Sequence, residues 1–414
     1  MTEALFETAL GIVTPWYVSG IDFDAAGRRL TLQIDFNRGS RFQVAGTEGQ
    51  HPVHDTVTKS YRHLNFFQYE CVLEVRVPRV RLSEGGIRQV EPDWTGRLSG
   101  FTLLFEAFIV LMARDMAFKK VAEKVNLSQH RVMAICERYV DLAAAQRDMS
   151  AVRHVAVDET SKQRGHDYVT LVADSDQRAV LFVTEGKDAS TLERFGQDLA
   201  AHGGDPESIE SISMDMSAAF IKGATEQLPN AQITFDKFHI VAHASKALDE
   251  TRRKEQKTDP TLKGLRWKLL RDPADLSPED RAEVEALARQ AAGKRTARAW
   301  QYREELREIL QRKQPNVVRQ LLKDWCTGVM RSKVEPMKKV AKMIRSHLDG
   351  IVAWTRTRQT NGFLEAINGL FQAAKRRARG FTRFSTMRMV IFLIAGKLDF
   401  TTVNPTFPEL RQQA

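Results

Sequence analysis

Between residues 153 and 243 the chain runs through RHVAVDET, DYVTLVAD and RAVLFVTEG, and then through ASTLERFGQDLAAHG, SISMDMS, AAFIKGATEQL and AQITFDKFHIVAH. The first three are short apolar runs rich in β-branched residues and bounded by polar turns. The later ones alternate between helical and strand spacing. The order that results is β-β-β-α-β-α-β, that of an RNase H-like sheet. Asp158 and Asp215 each end a strand-like run, and this order sets them on neighbouring strands. Adjacent residues on a strand face opposite ways, so only one of Asp158 and Glu159 can look into a shared site; Asp158 is the candidate.

The flanking regions have other periods. RLTLQID and YECVLEVRVPRVRL alternate as half-buried strands do, which makes residues 1–95 a small β-rich module. Arg76, Arg79 and Arg81, around Pro78, would offer guanidinium groups to phosphate from an edge strand, a reading weighed against a merely solvated strand face. Residues 96–150 turn helical: FTLLFEAFIVLMA, AFKKVAEKV and SQHRVMAICERYVDLAAAQ, the last two parted by a short NL turn, form a helix-turn-helix pattern. Ser128 can cap the last helix, and Val132, Ile135, Cys136 and Tyr139 recur at core spacing. That leaves Gln129, His130 and Arg131 in the first turn to meet base edges or phosphates.

Residues 151–240 are read as the first part of the catalytic core. Residues 241–355 are read as a charged helical insertion, with Ser277 capping SPEDRAEVEALARQ, and residues 356–414 as the C-terminal helices of the core. The fold class is therefore multi-domain α+β: an RNase H-like α/β core with a helical insertion, preceded by a β-rich module and a helix-turn-helix domain.

A third acid, Glu365 in TNGFLEAIN, opens a helix that Thr360 or Asn361 can cap. Asn368, Gln372 and Arg376 share its face, and Leu364, Ile367, Leu370, Phe371 and Ala374 make the opposite, buried side. No acid follows until Asp399, while Lys375, Arg376, Arg377, Arg379, Arg383 and Arg388 accumulate as a track suited to DNA. Two strand-borne aspartates and a helix-borne glutamate can converge to hold a pair of divalent metals and activate a hydroxyl against a phosphodiester. Asp236 and His239, in FDKFHI, are a further pair, ranked below the three acids, that either orients a DNA backbone or assists a metal-bound water, or makes a purely structural Asp–His contact. In the insertion, Arg252, Arg253 and Lys254 are candidates for flanking DNA.

Composition agrees with such a partner. The 62 Lys and Arg against 52 Asp and Glu give a net charge of +10, which favours a polyanion, and 43% hydrophobic residues over 414 positions suffice for several cores. Glu3 and Glu7 stand where a secretory signal would be positive, and no apolar run approaches the roughly 18 residues of a membrane span. Three scattered cysteines, Cys71, Cys136 and Cys326, make neither a disulfide framework nor a CxxC knuckle. The expectation is a cytoplasmic, nucleoid-associated protein without a membrane partner.

Taken together, YRHLNFFQYECVLEVRVPRVR, the helix-turn-helix, VAVDETS, SMDMSAAF, FDKFHIVAH and TNGFLEAINGLFQAAKRRARGF resemble the DDE transposases of bacterial insertion sequences, of the ISL3 family. The resemblance implies an RNase H-like catalytic domain using two Mg²⁺ or Mn²⁺ ions on Asp158, Asp215 and Glu365. It also implies double-stranded DNA as partner, both terminal inverted repeats and target, and a homodimer or higher assembly on that DNA. Family members generally carry an N-terminal zinc module with paired cysteines. Here Val44 and Thr47 fill one pair of positions and Leu82 and Gly85 the other, so His51 and His54 are left without partners and no zinc is expected. The rival reading is a catalytically silent, transposase-derived DNA-binding regulator.

Overall fold

The computed structural model describes residues 2–82, 85–161, 168–359, 362–381 and 383–407. Its contacts divide the chain into two units, Met1–Arg147 with Phe371–Ala414, and Asp148–Leu370. The division falls within one helix.

In the first unit, α1 (Thr2–Leu10) precedes β1 (Trp16–Asp24), β2 (Arg29–Phe36), β3 (Arg41–Phe42), β4 (His51–Arg62), β5 (Glu70–Arg81) and β6 (Ile87–Gln89). They form one sheet in the order β1-β2-β5-β4-β3, with β6 also pairing β5. Alternation explains β2 and β5: Leu30, Leu32 and Ile34 meet Cys71, Leu73, Val75 and Val77 in one core cluster. The expectation of an edge strand for β5 is corrected, because β2 and β4 flank it. Pro78 lies opposite Thr56 of β4, but its carbonyl turns to the other side, where it accepts from Val90 N at 2.9 Å; its missing N–H faces that same side, between the end of β2 pairing at Val75 and the start of β6 pairing at Arg79.

A second cluster of Phe36, Phe42, Val80 and Val90 is covered by Val44 and Leu82, two of the four residues at the positions the resemblance gives to cysteine. Thr47 N donates to Val44 O at 3.1 Å and Gly85 N to Leu82 O at 3.2 Å, closing a turn at each place. His51 is buried with Nε2 3.1 Å from Thr47 Oγ1. Apolar packing thus occupies this end of the sheet.

Three helices follow: α2 (Leu103–Asp115), α3 (Phe118–Val125) and α4 (Gln129–Ala145). Asn126 closes α3 in the left-handed conformation, φ 52°, which Asn adopts at low cost, and Ser128 Oγ accepts from Arg131 N to cap α4. Val132, Ile135, Cys136 and Tyr139 are all fully buried. Glu106, also fully buried, holds this bundle together: its carboxylate accepts from Arg97 N at 2.6 Å, Leu98 N at 2.7 Å and Tyr139 OH at 2.8 Å. Burial pushes its carboxyl up, and those three donors pull it back. Asn404, near the chain end, donates to Tyr139 OH and Leu103 O, each at 2.8 Å.

The second unit is built on β7 (His154–Ser161), β8 (Tyr168–Asp174), β9 (Ala179–Glu185), α5 (Ser190–Ala201), β10 (Ser211–Met214), α6 (Ala218–Gln227) and β11 (Gln232–Phe235). The strand order is β11-β10-β7-β8-β9, with β11, β10 and β7 mutually parallel and β8 and β9 antiparallel to their neighbours. Val155 and Val157 point into a core shared with Leu192, Phe195 and Phe220 of the covering helices; each such fully buried side chain contributes about 1.5–3 kcal/mol. The chain continues through α7 (Lys237–Glu255), α8 (Arg266–Leu270), α9 (Pro278–Ala288), α10 (Arg295–Gln311), α11 (Pro315–Arg331), α12 (Glu335–Ser346) and α13 (Leu348–Thr357) to α14 (Gly362–Arg377). Ser277 caps α9, accepting from Asp280 N at 3.2 Å. Gly350 lets α13 press onto β11: a Cβ there would lie 2.5 Å from the Phe235 ring. The last helix, α15 (Phe384–Ala395), packs on α2 and α4 of the first unit.

Candidate active site

The parallel register gathers the aspartates. On β7 and β10, Ser213 lies opposite Ala156; carried two residues further, the count sets Asp215 abreast of Asp158. On β10 and β11, Met214 lies opposite Phe235, so Asp215 and Asp236 are likewise abreast, just past the strand ends. Neighbouring strands are about 4.8 Å apart, so three acids head three adjacent strands. This is the carboxyl edge, where open α/β sheets place their ligands. Alternation turns Asp158 to the face opposite the core residue Val157.

Local backbone donors fix each carboxylate. Asp158 Oδ1 accepts from Glu159 N at 2.8 Å, Asp215 Oδ1 from Met216 N at 2.6 Å, and Asp236 Oδ1 from Phe238 N at 2.9 Å as the cap of α7. Asp236 is fully buried, whereas Asp158 and Asp215 are half-buried. Asp236 therefore reads first as a structural cap.

Helix α14 reaches this edge through Asn368, whose Nδ2 donates to Asp158 Oδ2 at 2.7 Å. Asn368, a candidate for DNA contact, thus has its amide nitrogen on the central carboxylate. Burial pushes the Asp158 carboxyl up to about 6; the Glu159 N–H and the charge of His239 oppose this, while Glu365 and Glu159 add to it. His239 and Glu365 therefore both lie within electrostatic reach of Asp158, with Glu365 itself exposed on its helix. Its expected caps, Thr360 and Asn361, lie outside the described residues. Leu370, expected on the buried side of α14, is 57% exposed, because it lies at the margin of the stripe made by Leu364, Ile367 and Phe371.

Two polar atoms at this edge are buried without a hydrogen-bond partner among the described residues, His239 Nε2 and Asn368 Oδ1. Such orphans are costly and call for a ligand. Carboxylates, an amide oxygen and an imidazole are a donor set suited to a hard divalent cation. Among the described residues, however, no three His, Cys, Asp or Glu side chains are gathered closely enough to hold an ion as they stand.

The chain matches a family model described as Transposase over residues 155–391 and the helix-turn-helix domain of transposase family ISL3 over residues 90–140. The chain belongs to the ISL3 transposase family. This transposase is 27% identical to the transposase for insertion sequence element IS1001 of Bordetella parapertussis, over 80% of its own length and 82% of that protein's. It is 26% identical to the transposase for insertion sequence element IS1557 of Mycobacterium tuberculosis, over 86% and 85%. Its helix-turn-helix domain implies DNA binding, and no helix among its described residues is long and apolar enough to cross a membrane.

The other DNA candidates of the transposase are differently placed. Gln129, His130 and Arg131 are exposed in the first turn of α4, but Arg131 donates to Ser99 O at 3.0 Å and lies over the Phe101 ring. The three arginines of β5 are engaged within their own sheet: Arg76 pairs with Asp35 at 2.9 Å, Arg79 forks onto Asp55, and Arg81 meets His54 at 3.2 Å. Arg76 and Arg79 pair because cross-strand neighbours of opposite charge attract at this spacing, while Arg81 meets an imidazole. In the insertion, Arg252 and Arg253 are held by Asp249, and Lys254 by Glu250.

In the first unit Arg377 and Arg379 line a cavity of about 450 Å³ with Lys119, Lys120 and Gln129, while Arg376 is exposed and Lys375 half-buried. Lys119 and Lys120 were not singled out from the sequence; their signal was charge in the helix preceding the recognition turn.

Proposed function

We infer that this transposase cuts DNA at the terminal inverted repeats of an insertion sequence and joins the ends to a target, using Asp158, Asp215 and Glu365 on an RNase H-like core. The observation that carries the reading is the parallel register that brings Asp215 abreast of Asp158, with Asn368 of the Glu365 helix bonded to Asp158. The strand order, three parallel strands continued by two antiparallel ones, supports the RNase H-like assignment.

Asp158, Asp215 and Glu365 would hold two Mg²⁺ or Mn²⁺ ions, and Asn368 Oδ1 and His239 Nε2 are further buried polar atoms without a partner among the described residues. Such ions, when bound, would supply neutralisation of the phosphodiester and activation of a water or a 3′-hydroxyl as nucleophile. Asn368 orients Asp158, and its amide keeps that carboxylate pointed at the shared edge. The raised Asp158 carboxyl follows first from burial, with the charges of Glu365 and Glu159 adding to it, and it predicts tighter metal binding as pH rises through 6. Glu365 must turn inward to complete the set, since it is exposed. His239, beside Asp158, is placed to hydrogen-bond a phosphate oxygen or the departing 3′-oxygen. DNA is held by the first turn of α4 and by the basic residues following Glu365, in an assembly of at least two copies.

Incubation with Mn²⁺ and duplex DNA carrying the sequences that flank the gene tests this. The parent should yield 3′-hydroxyl nicks and joined products, and neither Asp215→Asn nor the parent in EDTA should. Specific binding with no cleavage by the parent would favour a silent DNA-binding regulator, and nicks that are never joined would favour a plain nuclease.

A further inference from the structure

Four side chains of the second unit have no part in the scheme above. Arg358 Cζ lies 4.9 Å from the centre of the Trp354 ring; Lys237 Nζ lies 4.4 Å from that ring and 5.5 Å from the Phe238 ring. Cation, ring, cation and ring follow one another from the C-terminal cap of α13 to the first turn of α7. The inner ring, Trp354, is 6% exposed, and the outer ring, Phe238, is 51% exposed.

A single exposed aromatic is ordinary on a protein surface. Phe238 is distinguished by its setting. Its own N–H is the donor that Asp236 caps, and its chain neighbour His239 acts on the Asp158 carboxyl. The backbone that seats Asp236 and His239 at the carboxyl edge therefore also fixes where this ring emerges. Rings alternating with cations are the arrangement that grips an unpaired nucleic-acid strand, because any base can stack on a ring while Lys and Arg meet the phosphates on either side.

We propose that Arg358, Trp354, Lys237 and Phe238 form a grip for an unpaired stretch of DNA strand beside the candidate active site, with Phe238 stacking on one extruded base. Lys237 and Arg358 face the flanking phosphates. The proposal rests on the reading of this edge as a DNA-cutting site and adds that the duplex is opened there, which takes the target nucleotide out of the stack.

The test uses the full-length protein in EDTA, so that no strand is cut, with two duplexes of the gene-flanking sequence: one fully paired, and one with unpaired arms carrying 2-aminopurine. The parent should bind the forked duplex more tightly than the paired one and quench the 2-aminopurine. Phe238→Ala should lose about tenfold in affinity for the fork, together with the quenching, and keep its affinity for the paired duplex; a stacked base is worth about that much. Phe238→Trp should keep both, and equal melting temperatures would show that the variants fold. Unchanged quenching and fork affinity in Phe238→Ala overturns the proposal while leaving the DNA-cutting reading intact. Failure of the folded parent to bind either duplex overturns both.

Discussion

Replacing Asp158 by Asn isolates the electrostatic strain at the carboxyl edge. In the folded chain burial and the neighbouring glutamates raise this carboxyl from 3.8 to about 6. The folded state thus binds the proton more tightly than the unfolded one. The stability linked to it is fully present below about pH 4 and is lost as pH rises through 6. A shift of about two units corresponds to roughly 3 kcal/mol above pH 7. Asn cannot ionise and fits the same space; its oxygen can accept from Glu159 N, and its amide nitrogen can donate to Asn368 once the Asn368 amide turns its oxygen toward it. The variant should therefore match the parent near pH 4 and exceed it at pH 8, by about 5 °C or more in melting temperature for a unit of this size. The assay is thermal unfolding from pH 4 to 8 in EDTA, followed by circular dichroism. Saturating Mn²⁺ should reverse the order at pH 8, because only the parent gains a ligand. An Asn variant no more stable than the parent at pH 8 without metal would refute the claim that Asp158 is held at a cost.

Other consequences are as concrete. Glu106→Ala strands two backbone donors and the Tyr139 hydroxyl in a buried space, and should cost on the order of 3 kcal/mol in urea unfolding; a loss under about 1 kcal/mol would show that the bundle does not depend on it. Since Val44 and Leu82 pack where the resemblance puts cysteines, exhaustive chelation should leave the β-sheet signal of residues 1–95 unchanged, whereas Val80→Ala, in the same cluster, should lower stability by about 1–3 kcal/mol. Gly350→Val forces a side chain onto the Phe235 ring and should displace the end of β11, lowering cleavage at unchanged duplex affinity. Equal cleavage by that variant would mean the position of Asp236 is immaterial.

Sequence periodicity carried furthest where one side of an element is buried. RLTLQID, YECVLEVRVPRVRL and all three helices of the helix-turn-helix fall where their spacing puts them, and Ser128 and Ser277 cap as their residue type dictates. Strands β1 and β4 were not picked out, since WYVSGIDFD and HPVHDTVTKSYR are half-exposed with no clean alternation. The strand-end acids were legible as residue types in context, but that Asp158 and Asp215 stand abreast needed the β7–β10 register, which is a non-local fact. The ion pairs of the β5 arginines were hidden for the same reason: Asp35 and Asp55 are 41 and 24 residues away in sequence and become neighbours only across strands. Asn368 was on the correct face of α14, but its spacing could not tell that the amide would turn to Asp158.

The central claim is that Asp158, Asp215 and Glu365 converge on metal. Anomalous diffraction from crystals of the transposase with Mn²⁺ and an end-containing duplex tests it most directly. The account requires manganese between these three carboxylates, with Glu365 turned inward and Asn368 still on Asp158. Manganese bound elsewhere, or a complex that cuts DNA with Glu365 still facing solvent, would contradict it.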